Sequence, residues 1–167
     1  HLSLRRQRQM CIRDRIGPYN LLTDPVWAEH VSPKQGRGPR RVMPAGIALE
    51  DLPTIHAVLL SHNHYDHMDI ASLNWLYERF AMPIYTGLGN RWYLPKHLQV
   101  LEMDWWQSAR LHDLKLVYTP AQHGSGRGLR DQNRALWGGF SVHCGADYAY
   151  FAVSYTHLRA HETRGNI

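Results

Sequence analysis

The chain has 167 residues, of which 44% are hydrophobic and six are Trp, and this is enough apolar material for the core of about one domain. The formal net charge of +5 comes from the two ends, because residues 16–153 hold 12 basic and 12 acidic side chains. The body of the chain therefore gives no electrostatic reason to expect nucleic-acid binding. No apolar run in the sequence approaches the roughly 18–20 residues that span a bilayer.

Both ends have an unusual composition. Residues 1–15 and 154–167 are similar to translated sequencing-adapter sequence, so we expect a disordered leader and a tail that were not selected to fold. This interpretation places the folded region at residues 16–153. The alternative is a basic arm, with five Arg in residues 1–15, that binds an anionic surface or nucleic acid.

The first elements of the folded region are short. A strand is predicted at Asn20–Thr23, and the Asp24-Pro25 pair that follows it favours a turn. Residues 32–47 are rich in Pro, Gly and basic side chains and predict a long loop. Arg40 and Arg41 in this loop are candidates for phosphate contact, although a solvated loop face explains them equally simply.

A buried strand and an amphipathic helix are predicted next. A buried strand is predicted at Ile55–Leu60, because the last four residues of this segment are all apolar. Apolar residues recur with helical spacing from Ile70 to Phe80, and Pro83 fits a helix stop. Asp69 is expected to favour this helix as a carboxylate in its first turn.

Four potential metal ligands lie between that strand and that helix: His62, His64, Asp66 and His67. Alternate side chains of an extended backbone point the same way, so His62 and His64 should face one point. The turn into the helix should bring Asp66 and His67 to a second point nearby. Imidazole nitrogen and carboxylate oxygen together suit zinc. The alternative is a histidine-rich surface loop that binds no metal.

The rest of the chain is rich in predicted strands. A helical turn or two is expected within Arg91–Leu98. Trp105 and Trp106 are interpreted as core aromatics, with contact to a lipid or acyl chain as the alternative. With one of the two cysteines in the leader, a structural disulfide is not expected, which fits a reducing, cytoplasmic compartment. The predicted strands lie at Ile84–Thr86, Val100–Trp106, Leu114–Tyr118, Leu136–Cys144 and Asp147–Ala152.

The ligand cluster also carries a family resemblance. The string Ser-His-Asn-His-Tyr-Asp-His at residues 61–67, with Thr-Asp-Pro at residues 23–25, resembles the metallo-β-lactamase superfamily. Within that superfamily it is similar to the phospholipase D-like proteins that hydrolyse N-acyl-phosphatidylethanolamine. The resemblance implies an α/β fold, the αββα sandwich, with two zinc ions in the intact site.

The resemblance also implies roles for individual residues. His123 follows a predicted strand as the family's third histidine does, and would complete the first zinc site with His62 and His64. Asp66 and His67 would belong to the second site, with Asp66 also catalytic. Asp24 would orient a ligand imidazole, with a simple turn-forming role as the alternative. In the family's substrate-side loop, three residues are candidates for phosphate contact: Arg127, Arg130 and Arg134.

The chain departs from the family pattern near its end. The family continues after the last strand with Gly-Asp-Thr-Gly, whose aspartate bridges both metals, whereas residues 150–155 here read Tyr-Phe-Ala-Val-Ser-Tyr. The resemblance therefore covers about the first half of a complete domain, and we expect a polypeptide that folds poorly, binds one zinc at most and has little activity.

For the intact parent, the resemblance implies hydrolysis of phosphodiesters, with an N-acyl-phosphatidylethanolamine-type phospholipid or another small phosphodiester as substrate. Peripheral contact with a membrane would follow from a lipid substrate. One alternative is a lactonase or another hydrolase of this fold, because the fold alone does not fix the substrate. The other is a catalytically inactive fragment that binds one zinc or none.

Overall fold

The computed structural model describes residues 12–32, 40, 45–128 and 130–153. A helix, α1, spans Ile70–Phe80, and short 3₁₀ helices occupy Leu49–Asp51 and Asn90–Tyr93. The strands in these ranges are β1 (Ile12–Ile16), β2 (Tyr19–Thr23), β3 (Ala57–Leu60), β4 (Ile84–Gly87), β5 (Val100–Met103), β6 (Ser108–Leu111), β7 (Leu114–Pro120), β8 (Gly138–Cys144) and β9 (Asp147–Phe151).

The strands form two sheets. The first has the order β1-β2-β3-β4-β5, in which β1 is antiparallel to β2 and the remaining neighbours are parallel. The second has the order β6-β7-β8-β9 and is antiparallel throughout. All four residues of β3 are buried, as expected for a central parallel strand that is covered on both faces.

The packing gives three layers: helix, sheet and sheet. Side chains of β3 alternate between the two sides, and Val58 packs in the same apolar cluster as Leu73 and Leu76 of α1. Leu59 faces the other way and packs with Leu116 of β7 in a second cluster between the sheets. The carboxyl ends of the parallel strands β3, β4 and β5 lie at one edge of the first sheet, and the loop that follows β3 starts there.

The boundaries of α1 confirm the predicted helix. Asp69 is its N-cap and accepts a hydrogen bond from the Ala71 N–H at 3.2 Å, so it acts one position before the first turn in which it was expected. At the other end Ala81 has a left-handed φ of 48° and its N–H bonds to the Tyr77 carbonyl. Pro83 follows two residues later.

Several sequence expectations are refined by the structure. β6 was not predicted, and the predicted strand at Ile55–Leu60 is confirmed only over Ala57–Leu60. The interpretation of Trp105 and Trp106 as core aromatics is wrong, because their exposed fractions are 36% and 70%.

The expected boundary between leader and domain at residue 15 falls inside β1, which pairs with β2 along its whole length. Residues 1–11 and 154–167 lie outside the described residues, so their adapter origin stays a prediction. Arg41 also lies outside them, and Arg40 forms an exposed ion pair with Glu29. Within the described ranges, no helix has the length and apolar character that crossing a membrane requires.

Candidate metal centre

The loop that follows β3 starts from a fixed point. The carbonyl of Ser61 accepts one hydrogen bond from the Tyr118 hydroxyl at 2.9 Å and one from the Gly138 N–H at 3.1 Å. Both partners belong to the second sheet, and Ser61 and Tyr118 are fully buried. The first residue after β3 is therefore held by the two strands, β7 and β8, that pack behind it.

Three histidines from two separate loops meet above this point. The Nε2 atom of His62 lies 2.7 Å from Nδ1 of His64 and 2.9 Å from Nε2 of His123. The ring centroid of His62 lies 4.4 Å from the ring centroids of both His64 and His123, and the centroids of His64 and His123 are 5.2 Å apart. The structure thus brings together the three histidines that the resemblance assigned to one metal.

A short relay of hydrogen bonds assigns the tautomer of His62. The Ser61 hydroxyl donates its only proton to Oδ2 of Asp24, and it also lies 2.7 Å from Nδ1 of His62. It must therefore accept from His62, which places the imidazole proton on Nδ1. Nε2 of His62 is left with a free lone pair that points at the other two imidazoles. This is the arrangement by which outer groups orient metal-binding histidines.

Asp24 organises a second group of ligand atoms with His62 and His67. Its Oδ2 atom accepts from Nδ1 of His67 at 2.7 Å, and its Oδ1 atom accepts from the Ser61 N–H at 2.7 Å. Asp24 has a left-handed φ of 41°, and its side chain is 9% exposed. The predicted orienting role of Asp24 therefore has a direct geometric basis, because the carboxylate contacts His67 and, through Ser61, His62.

Burial favours the neutral form of the three converging imidazoles. Burial lowers the pKa of His62 far below its ordinary value, and the neighbouring histidines lower it further. Burial is also the main cause that lowers the pKa of His64 and of His123. For His67, burial opposes the charge and hydrogen bond of Asp24, and the net pKa is raised.

Neutral imidazole is the form that binds a metal, so this donor set fits a divalent ion. His62, His64 and His123 each offer one ring nitrogen, and these atoms lie within 4.8 Å of one another. Three such nitrogens with an open fourth position are typical of a catalytic zinc site. The ligand atoms of Asp24, His62 and His67 also lie within 4.8 Å of one another, so His62 belongs to both sets.

Asp66 stands apart from both groups. Its side chain is 55% exposed, and its Oδ2 atom lies 3.6 Å from Nε2 of His67. It contributes to the electrostatics of the site, because its charge acts to raise the pKa of both His64 and His67. Its predicted roles as ligand and catalytic group stay predictions.

The sequence did not indicate the roles of Ser61 and Tyr118, since both act through contacts with residues distant in the chain. Of the three arginines expected to face a phosphate, Arg130 and Arg134 are exposed. Arg127 is partly buried, and its guanidinium donates to main-chain carbonyls of the ligand loop.

Comparisons with known proteins identify relatives of this chain. The β-lactamase superfamily domain matches residues 19–163. An uncharacterised protein of Mycobacterium tuberculosis strain H37Rv is 38% identical over 141 residues, which are 81% of this chain and 37% of that protein. The N-acyl-phosphatidylethanolamine-hydrolysing phospholipase D 1 of Caenorhabditis elegans is 32% identical over 142 residues, which are 72% of this chain and 37% of that protein.

A solved structure supports the fold. The isothiocyanate hydrolase from Delia radicum gut bacteria aligns with a TM-score of 0.60 and 21% identity, covering 87% of this chain and 61% of that chain. The likeness confirms the predicted α/β architecture, of which the described residues form one helix layer and two sheets. The chain spans little more than a third of the length of the two relatives named above.

The family match covers most of the chain, extends past residue 153, and includes both loops that carry the converging histidines. The chain belongs to the β-lactamase superfamily of metal-dependent hydrolases, with homologues among the N-acyl-phosphatidylethanolamine-hydrolysing phospholipases D.

Proposed function

We propose that this chain carries the metal-ligand loops of a zinc-dependent phosphodiesterase whose substrates are phospholipids of the N-acyl-phosphatidylethanolamine type. The observation that carries the proposal is the convergence of His62, His64 and His123 on one point, with the tautomer of His62 assigned by Ser61. The substrate class is supported by the name of the Caenorhabditis elegans relative, which is 32% identical to this chain.

The residues divide the work as follows. His62, His64 and His123 would hold the ion, while Asp24 and Ser61 keep the imidazoles in the orientation and protonation state that binding needs. When bound, zinc supplies activation of water and stabilises charge on a phosphoryl group. Asp66, which is exposed and lies 3.6 Å from Nε2 of His67, would add a carboxylate to a second ligand set or accept a proton from a reacting group.

The exposed arginines of the neighbouring loop suit an anionic substrate. Arg130 and Arg134 lie downstream of His123, and both are exposed. Their guanidinium groups are therefore accessible to a substrate phosphate. To reach a lipid substrate, the protein would also have to bind at the surface of a membrane. Peripheral membrane contact is therefore part of the proposal.

The test compares substrates on the zinc-loaded chain. Initial rates are measured with N-acyl-phosphatidylethanolamine in detergent micelles, with a chromogenic phosphodiester and with a lactone. We expect phosphodiester cleavage that is slow, in line with the low activity expected from the sequence, but faster than lactone opening. This cleavage should disappear in His62→Ala, whereas the control His143→Ala, on an exposed position of β8, should retain it. Faster turnover of the lactone would overturn the phosphodiesterase assignment in favour of a lactonase.

A further inference from the structure

Arg127 connects the two loops that supply the converging histidines. Its Nη1 atom donates to the Asn63 carbonyl at 3.0 Å and to the Met68 carbonyl at 2.8 Å. These two carbonyls flank the ligand segment that contains His64 and His67. One guanidinium nitrogen, supplied by the loop that carries His123, therefore bridges the start and the end of that segment.

Two further hydrogen bonds join the same two loops, one donated from each loop. The Tyr65 hydroxyl donates to the Arg127 carbonyl at 3.0 Å, and the Gly126 N–H donates to Oδ1 of Asn63 at 2.6 Å. The Arg127 guanidinium carbon also lies 4.0 Å from the centre of the Tyr65 ring, which is a close cation–π contact. We call these contacts of Arg127, Tyr65, Asn63 and Gly126 the loop clasp.

The Arg127 side of the loop clasp is itself held in place. The Asp131 carboxylate accepts from the Arg127 N–H at 3.1 and 3.2 Å and from the Gly128 N–H at 2.7 Å. The Ser125 hydroxyl donates to the Ala135 carbonyl at 2.6 Å. The loop after His123 therefore forms a compact turn that presents Arg127 to the ligand loop in a defined position.

Neither loop lies in a helix or strand where it carries its histidines, so regular secondary structure does not set their separation. We propose that Arg127 is a positioning residue whose clasp with Tyr65 and Asn63 holds His123 at the distance from His62 and His64 at which the three share one ion. This inference rests on the metal-binding part of the proposed function. In this inference the Arg127 guanidinium binds main-chain carbonyls of the protein itself, and other cations contact the substrate.

Arg91 provides a matched control. Its Nη1 atom donates to two main-chain carbonyls, of Pro95 at 3.1 Å and of Leu98 at 3.0 Å, just as Arg127 does to its own pair. Arg91 holds the loop before β5, and none of its hydrogen bonds within the described residues goes to a loop that carries the histidines. Arg91→Met and Arg127→Met therefore remove the same kind of arginine bridge, one away from the candidate metal centre and one beside it.

The experiment measures the affinity for Zn²⁺ by competition with a chromogenic chelator, together with thermal unfolding of the metal-free protein. We expect both methionine variants to lower the unfolding temperature, but only Arg127→Met to weaken zinc binding, by about 10-fold. Arg127→Lys should recover part of the loss, because an ammonium group can donate to both carbonyls but lacks the planar group that covers Tyr65. Tyr65→Phe should weaken binding less than Arg127→Met, because it removes one hydrogen bond of the loop clasp.

The outcomes separate this inference from the function on which it rests. A wild-type chain that binds no Zn²⁺ would contradict the proposed metal centre itself. Wild-type affinity in Arg127→Met would overturn the clasp while leaving that centre intact. If Arg127→Met does not fold, Tyr65→Phe decides, and unchanged zinc affinity in that variant overturns the clasp.

Discussion

Ser61→Ala is the sharpest probe of the relay that prepares His62. The substitution removes two hydrogen bonds, one from the Ser61 hydroxyl to Asp24 and one from Nδ1 of His62 to that hydroxyl. Ser61 and His62 are both fully buried, so water does not replace the lost partners. At about 1 kcal/mol for each net bond, the metal-free protein should lose about 2 kcal/mol of unfolding free energy.

The effect on metal binding has a separate origin. Without the serine oxygen, nothing favours a proton on Nδ1 of His62, and the alternative tautomer places the proton on the nitrogen that faces His64 and His123. That tautomer must lose its proton before binding. We expect the dissociation constant for Zn²⁺ to rise by about 10-fold, the lower end of the range for loss of an outer-shell partner.

A serine of the same kind elsewhere gives the control. The Ser72 hydroxyl donates to Asp69 and accepts from the Trp27 N–H at 2.9 Å, and Ser72 is 3% exposed. Ser72→Ala therefore removes the same number of buried hydrogen bonds on α1. Chelator competition and urea unfolding are run on both variants. Equal zinc affinity in Ser61→Ala and Ser72→Ala would refute the reasoning, because the relay would then contribute only stability.

Two further substitutions test neighbouring parts of the account. Asp24→Asn keeps the shape of the side chain but removes the carboxylate charge, which with the Asp66 charge raises the pKa of His67 against burial. The pKa of His67 in the metal-free variant, followed by NMR titration, should therefore fall below that of the parent protein. An unchanged pKa would show that Asp24 does not control His67. Gly138→Ala would place a Cβ 2.3 Å from the Thr119 carbonyl oxygen and 2.8 Å from Cζ of Tyr118, and it should cost about 1–3 kcal/mol of unfolding free energy in urea titrations. Gly128→Ala, with its nearest contact at 3.5 Å, is the control for that experiment, and a Gly138→Ala protein of wild-type stability would contradict the close packing of β8 behind Ser61.

The sequence predicted the elements whose signals are local. α1 has an apolar stripe, a capping carboxylate at Asp69 and a proline beyond its end, so pattern and punctuation agree. β3 is a continuous apolar run and is buried on both faces. Strands with mixed composition were harder to predict. The sequence of β6 is Ser-Ala-Arg-Leu, with alternating exposure, and the sequence of β1 is Ile-Arg-Asp-Arg-Ile, most of which was assigned to the leader. Both lie at the edge of a sheet, where charged residues are tolerated.

The candidate ligands were predictable from the sequence, and most of the groups that contact them were not. His62, His64 and His67 stand close together in the chain, and the resemblance located His123. The contact of Asp24 with Ser61 depends on the parallel pairing of β2 with β3, which matches Thr23 with Leu59. The proposed role of Arg127 depends on contacts across about 60 residues of sequence, and from the sequence alone an arginine in a glycine-rich loop was only a candidate for phosphate contact.

The most direct test of the central claim is the zinc content of the purified chain and two histidine variants by mass spectrometry. His123→Ala removes the ligand supplied by the second loop, and His143→Ala removes an exposed histidine on the outer face of the second sheet. If one ion is shared by imidazoles from both loops, the wild-type chain and His143→Ala should each retain zinc through dialysis, and His123→Ala should lose it. Zinc retained by His123→Ala at the wild-type level would contradict the account.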